Sequence, residues 1–258
     1  MSADIFQRID NAQKLDFGKV ISDSINLFKK VWVEGLIHLL ISIVVMIPFI
    51  ILFYLPFLLV LGFQNKFNDT VSSSPEFDVA FIGFIIITAI CYIILICVMQ
   101  ALIIGVLAHF YKVCKKTDLG LDIDTGGYFE YFKTKYFKKL FVLALSTIGI
   151  AIGATLLCYF PIFYVIVPLH LIVVIFAFNE NLSVKEIIQA SFKLGNKFWF
   201  VIFGLIFISG FMAQLGMFLC LIGIFFTAFF ARIPAYFIYK DTIGFNEALP
   251  LYDSPVLD

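Results

Sequence analysis

The sequence predicts an all-α integral membrane bundle of six transmembrane helices in three hairpins, each preceded by an amphipathic interfacial helix. Three observations carry that reading. Apolar residues make up 62% of the 258-residue chain and charged residues only 14%, with 33 Phe, against about half apolar and a quarter charged in soluble domains. The apolar residues fall in runs long enough to cross a hydrocarbon core of ~30 Å. Finally, a polar-faced stretch that leads into one such run occurs twice.

The repeated stretch is Leu182 to Trp199, LSVKEIIQASFKLGNKFW, and it aligns without a gap on Leu15 to Trp32, LDFGKVISDSINLFKKVW. The two share Leu15/Leu182, Ile21/Ile188, Ser24/Ser191, Leu27/Leu194, Lys30/Lys197 and Trp32/Trp199. Wound at about 100° per residue, the first copy gathers Phe17, Val20, Ile21, Ile25, Leu27, Phe28, Val31 and Trp32 on one arc, with Lys19, Asp23, Asn26, Lys29 and Lys30 opposite. Such a helix cannot bury its apolar arc alone. It is therefore expected to lie in the headgroup plane and to turn, at the Trp, into a spanning helix. Trp32 and Trp199, with Lys30 and Lys197, are the expected interfacial anchors. On this reading a leucine at Ser24 or Ser191 deepens membrane binding.

In chain order, residues 1–14 are polar and read as loosely ordered. After the first copy, Val31 to Phe63 is one apolar run holding a single acid, Glu34, and two prolines, Pro48 and Pro56. At about 1.5 Å per residue it exceeds the core, so it must tilt, kink or project. Gln64 to Asp78 is a polar loop, and Val79 to Tyr111 a second long span. Lys112 to Lys139 carries seven lysines, and its end, YFEYFKTKYFKK, reads as a degenerate third copy of the interfacial helix, out of register at Glu130 and Lys133. Leu140 to Phe178 breaks at Cys158-Tyr159-Phe160-Pro161 into two spans. Asn179 to Lys197 holds the second clear interfacial helix, with Ser183 and Glu186 spaced as a capping box. Phe198 to Tyr239 needs two spans, turning near Gly216 to Leu219. Asp241 to Asp258 is an acidic, proline-containing tail.

The chain is thus read as a single polytopic domain, 1–258, with pseudo-repeats at about 15–112, 124–178 and 182–240 and a short cytoplasmic tail at 241–258. An even number of spans per unit keeps the copies in one orientation, so the relating axis should run along the membrane normal. Placing both termini in the cytoplasm, at a cytoplasmic (inner) membrane, puts 17 of the 18 Lys and Arg inside and only Lys66 outside, as the positive-inside rule requires. The first apolar run lacks a small-residue cleavage site, so the first span is expected to be retained.

A formal net charge of zero, from 18 basic and 18 acidic residues, argues against nucleic acid as a partner. Membrane lipids are the expected partners, with a membrane protein or a second copy of the chain as further candidates. Of the five cysteines, Cys91, Cys97, Cys158 and Cys220 fall in apolar runs and Cys114 in the lysine-rich segment. They read as buried thiols, with a Cys158–Cys220 disulfide as the alternative. Gly149 and Gly153, and Gly223, Thr227 and Ala231, form small-residue stripes suited to close helix packing. Gln100 and Gln214 are expected to be buried amides that bond between helices.

A short amphipathic helix with a leading Leu-Ser or Leu-Asp and a closing Lys-x-Trp, placed before apolar hairpins, is carried here by LDFGKVISDSINLFKKVW and NLSVKEIIQASFKLGNKFW. This resembles the bacterial membrane proteins related to the membrane domain of glycerophosphodiester phosphodiesterases and its stand-alone relatives. The resemblance implies the hairpin architecture. It does not imply phosphodiesterase chemistry, which in that family belongs to a separate catalytic domain with a His-Arg-Gly motif. Here the histidines read His38-Leu39, His109-Phe110 and His170-Leu171.

One polar set shares a membrane depth. Glu34 and His38 on span one, His109 on span two, His170 on span four and Arg232 on span six all count into the cytoplasmic half of the bilayer. Ionisable groups there usually face the bundle interior, because lipid exposure costs about 2.5–3.5 kcal/mol even on lenient scales. Three uses stay open. The imidazoles and Glu34 could hold a metal in a small membrane-embedded enzyme. Arg232 and the histidines could hold a lipid headgroup. Or the boundary residues snorkel while His38 and His170 bond neighbouring helices. No Ser/His/Asp order, phosphate-binding glycine loop or EF-hand spacing occurs. The sequence therefore favours non-catalytic lipid-associated binding, scaffolding or transport, with no cofactor called for.

Overall fold

Nine α-helices follow one another in a computed structural model that describes residues 2–71, 79–121, 125, 127–157, 160–218 and 223–245. They are α1 (Ser2–Asn11), α2 (Phe17–Val71), α3 (Val79–Leu119), α4 (Thr134–Leu156), α5 (Phe160–Phe178), α6 (Val184–Lys197), α7 (Trp199–Phe218), α8 (Gly223–Thr227) and α9 (Ile233–Thr242). Two 3-10 turns, Glu130–Phe132 and Ala228–Arg232, precede α4 and α9. Among the described residues, five helical segments are long and apolar enough to cross a membrane: Phe17–Leu55, Ile86–Leu119, Thr134–Leu156, Pro161–Phe178 and Trp199–Met217. This is a multi-pass membrane protein by the length and composition of its helices.

Burial is polarised. Fully covered side chains gather at the lysine-bearing end, from the start of α2, the second halves of α3 and α5, and from α6 and α9. At the other end apolar side chains face outward, including Val44, Ile51, Ile87 and Leu156. An outward-facing apolar surface of this extent suits lipid rather than water.

The two repeated stretches bury equivalent positions. Val20, Ser24 and Leu27 are covered in one, Ile187, Ser191 and Leu194 in the other. Their apolar arcs are therefore met by protein. In the first stretch this removes the reason for a turn, and α2 runs unbroken through Trp32. The second is a separate helix, capped by Ser183 and Glu186 in the expected reciprocal box. It ends at Phe198, whose backbone leaves the helical region, so a break does precede Trp199. Ser24 and Ser191, both 0% exposed, face the core, so leucine there would overpack rather than deepen membrane binding.

The degenerate third copy forms no helix of its own. Tyr131 is fully buried and crosses α3 at Gly105, where a Cβ would lie 3.1 Å from the tyrosine Cβ. Driving this ring inward uses a tight 3-10 turn, after which extended Lys133 starts α4.

The amino-terminal segment, expected to be loose, is instead the helix α1, held by Ile5 and Ile9 in the core. Lys197 closes its far end, donating to the carbonyls of Ile9 at 2.8 Å and Asp10 at 2.6 Å. Lys193 adds an ion pair with Asp10 at 2.7 Å. Cations at the carbonyl end complement the helix dipole. Lys197 thus fastens α1, while Lys30 is exposed and Trp32 half-exposed against Phe226. Trp199 donates its indole N–H to the Tyr164 carbonyl at 3.2 Å.

The break between α4 and α5 falls where expected. The expected sixth span instead comprises α8, a 3-10 turn and α9. Pro234 at the start of α9 offers no N–H and restarts the helix. Gly216 and Gly223 meet so closely that a Cβ on either would strike the other's backbone, and Thr227 donates to the Ala213 carbonyl at 2.6 Å. That stripe is a packing contact, whereas Gly149 and Gly153 have open space beside them. Gln214 is exposed and Gln100 half-buried. Cys114 is buried within α3 rather than in a loop, and Cys91 is exposed on the apolar surface. Cys158, Cys220, the Gln64–Asp78 loop beyond residue 71 and the tail from residue 246 lie outside the described residues.

Candidate functional site

The polar set divides into two groups. Glu34 and His38 sit one turn apart on α2, so the His38 ring folds back along its own helix and its Nδ1 lies 2.6 Å from the Glu34 carbonyl oxygen. A carbonyl only accepts, so Nδ1 carries the hydrogen. With His38 uncharged, its Nε2 is the acceptor. It lies 2.7 Å from Nδ1 of His109 on α3, which donates to it. His38 is 0% and His109 3% exposed. Phe110, Phe229 and Tyr128 surround the pair, with Tyr128 5.2 Å from the His38 ring and 5.0 Å from the His109 ring.

Tyr128 completes the group from the α3–α4 connection. Its hydroxyl donates to Glu34 Oε2 at 3.0 Å. Burial first, and then the bond to Glu34, push the phenol above its usual range. It stays a donor at any physiological pH.

His170 and Arg232 do not join this group through any described hydrogen bond. Arg232 is exposed, and its charge acts on His170 of α5 and Tyr111 of α3. Among the described residues no three His, Cys, Asp or Glu side chains come together as a metal site would require. The facing nitrogens of His38 and His109 are occupied by each other.

Glu34, His109 and Tyr128 line a cleft of about 580 Å³ together with Lys116, Thr117 and Thr125. The α3 residues His109, Lys116 and Thr117 recur at helical spacing, so the cleft follows one face of α3. A second, wholly apolar groove of about 230 Å³ lies along the next turns of α2, lined by Ile37, Leu40, Ile41, Val44, Val45 and Phe129. Tyr128 belongs to the polar cleft and its neighbour Phe129, 57% exposed, to the apolar groove. Two neighbouring residues of the α3–α4 connection thus line two different spaces.

A separate junction fixes the α3–α4 connection. Glu180, between α5 and α6, accepts from Lys112 at 2.6 Å and Tyr131 at 2.7 Å. Lys139 donates to the carbonyls of Glu180 and Leu182. Burial alone would raise the Glu180 carboxyl, but the bonds from Lys112 and Tyr131 outweigh it and hold the group below its ordinary range. Asp118 makes a similar tie to α9, accepting from Tyr236 at 2.7 Å and Lys240 at 2.6 Å.

Sequence reasoning missed Tyr128 and Glu180. Tyr128 is one of several aromatics in YFEYFKTKYFKK, so nothing local set it apart, and Glu180 is a lone acid in the polar connection before α6. No family model matches this chain, and no curated protein or solved structure matches it significantly.

Proposed function

We propose that this protein binds membrane lipid at the cytoplasmic face of a cytoplasmic membrane, without catalysis, as a lipid-handling or scaffolding component. One observation carries the reading: Glu34 of α2 and Tyr128 line a polar cleft, and the next turns of α2 with Phe129 line an apolar groove. A headgroup and a chain need those two environments side by side.

The wider topology belongs to the same proposal. The α8 to α9 segment serves as the sixth span, giving three hairpins with both termini inside. The lysine distribution supports that orientation. Matched burial of Val20/Ile187, Ser24/Ser191 and Leu27/Leu194 supports a pseudo-repeat. The resemblance of the repeated stretches to the membrane domain of glycerophosphodiester phosphodiesterases points the same way, toward a membrane module lacking the catalytic domain.

The test is extraction of the full chain in mild detergent, followed by lipid and metal analysis. A phospholipid retained in stoichiometric amount, and lost when Ile41 and Val44 are both replaced by aspartate in protein that stays folded, supports the reading. Stoichiometric metal without retained lipid would overturn it.

A further inference from the structure

One face of α2 changes from polar to apolar over a single turn. Wound at about 100° per residue, Lys29, Val33, Leu40 and Val44 fall within about 60° of one another, and Lys30, Ile37 and Ile41 run beside them. Lys29 and Lys30 are exposed, as are Val33 at 45%, Leu40 at 49% and Val44 at 64%. From Ile37 onward this face lines the apolar groove of about 230 Å³, together with Phe129. Among the described residues neither lysine has an ion pair or a hydrogen bond. Glu34 stands one turn beyond Lys30, at the usual spacing of a helical ion pair, yet its carboxylate accepts the Tyr128 hydroxyl, at 3.0 Å, and not Lys30. Glu130, next to Phe129 in the chain, is paired with Lys133. Two unengaged cations thus stand at the foot of an exposed apolar groove. Lys30 and Ile37 are about 10 Å apart along the helix axis, a span that the glycerol and ester groups of a phospholipid fill.

Resting on the lipid-binding reading above, we infer that this face of α2 seats an anionic glycerophospholipid, its phosphate against Lys29 and Lys30 and one acyl chain in the groove beside Phe129. A lipid of net negative charge gains the attraction of both ammonium groups. A zwitterionic headgroup brings its own cation toward the two lysines and forfeits most of that gain. The groove is apolar throughout its described lining and holds the acyl chain of either kind alike. Discrimination between headgroups therefore follows from the lysines, and overall retention from the groove.

The experiment is native mass spectrometry of the full chain from micelles doped with equal amounts of phosphatidylglycerol, phosphatidylethanolamine and phosphatidylcholine. Wild-type protein should retain the glycerol lipid on the order of tenfold over the other two. In the Lys29→Gln/Lys30→Gln double variant that preference should fall to near parity, with retention of the two zwitterionic lipids unchanged. Lys138→Gln with Lys185→Gln, which removes two exposed lysines of α4 and α6, should leave the preference intact. The wild-type competition needs no variant, so a variant that misfolds does not disable the test. Equal retention of the three lipids, or a preference for a zwitterionic one, overturns the inference while leaving lipid binding standing. A preference that survives loss of Lys29 and Lys30, or that falls equally in the Lys138/Lys185 control, also overturns it, because the charge would then act from elsewhere or from the whole surface. Retention of no lipid at all removes both the inference and the reading beneath it.

Discussion

His38 on α2 and His109 on α3, 71 residues apart in sequence, join their rings through a 2.7 Å hydrogen bond that is sealed from solvent. The bond has a fixed sense, from His109 to His38, because the Glu34 carbonyl claims the other His38 nitrogen. Removing His109 leaves a buried acceptor unmet. His109→Ala should therefore cost about 1–3 kcal/mol. Replacing both rings by leucine should cost less than the sum of the single changes, with a coupling of about 1 kcal/mol. Thermal unfolding in detergent across the double-mutant cycle checks this, and strict additivity would argue that the rings do not share a hydrogen bond.

Glu180 gives a pH dependence with a definite sign. Its folded carboxyl is held below the ordinary value of 4.5, so the unfolded chain takes up its proton first as pH falls. The stabilisation is complete above the unfolded value and disappears as pH drops through the folded one. Wild-type melting temperature should fall on acidification below about pH 5, and Glu180→Gln should show a shallower fall. Parallel curves for the two proteins would mean that Lys112 and Tyr131 do not stabilise the ionised form.

Two hydroxyls are buried without a partner among the described residues, those of Ser24 and Tyr111. Ser191, the counterpart of Ser24, donates to the Ile188 carbonyl at 2.8 Å. Ser24→Ala should therefore stabilise the protein by up to about 1 kcal/mol. Ser191→Ala should be neutral or slightly destabilising. Tyr111→Phe should behave like Ser24→Ala. Chemical denaturation of the three variants decides it, and a clear loss of stability in Ser24→Ala would show that its hydroxyl is satisfied.

Glycines in different surroundings should respond oppositely to a methyl group. At Gly195 an added Cβ would lie 3.2 Å from the backbone of Pro168 on α5, so Gly195→Ala should destabilise by about 1–3 kcal/mol. Gly149 has nothing within 4 Å, and Gly149→Ala should stabilise by up to about 1 kcal/mol through helix propensity. Melting temperatures of the two variants moving in the same direction would contradict the close α5–α6 approach.

Lys193→Ala combined with Lys197→Ala should loosen α1, each contact contributing about 0.3–1 kcal/mol. Hydrogen exchange should rise across residues 2–11 and stay unchanged in α7. Unaltered protection would mean that Ile5 and Ile9 hold the helix by themselves.

Periodicity made much of this architecture legible, because a run of apolar residues carries its own length. The break before Pro161 and the capping box at Ser183 were readable from local chemistry. Helix α1 was not recognised, although Ile5 and Ile9 have the spacing of one buried face; the polar remainder of a ten-residue helix masked it. Within the site, counting from the expected inner boundary carries no information on direction around the bundle. That is why Glu34, His38 and His109 meet while His170 and Arg232 share no described hydrogen bond with them. Tyr128 was illegible because its bond to Glu34 spans 94 residues and leaves no trace in local spacing.

The concentration of covered side chains at one pole has a mechanical consequence. The lower reach of α2 is clamped to α3, α9 and the 3-10 turn before α9, whereas its apolar stretch from Val44 to Leu55 is largely uncovered by protein. A bilayer that thins or thickens acts on the uncovered stretch by changing helix tilt. The clamped base cannot follow freely, so the strain is felt at the hinge between them. Glu34 and His38 lie in that transition, so under the proposed lipid-binding function the shape of the cleft that Glu34 lines should depend on the thickness of the surrounding membrane.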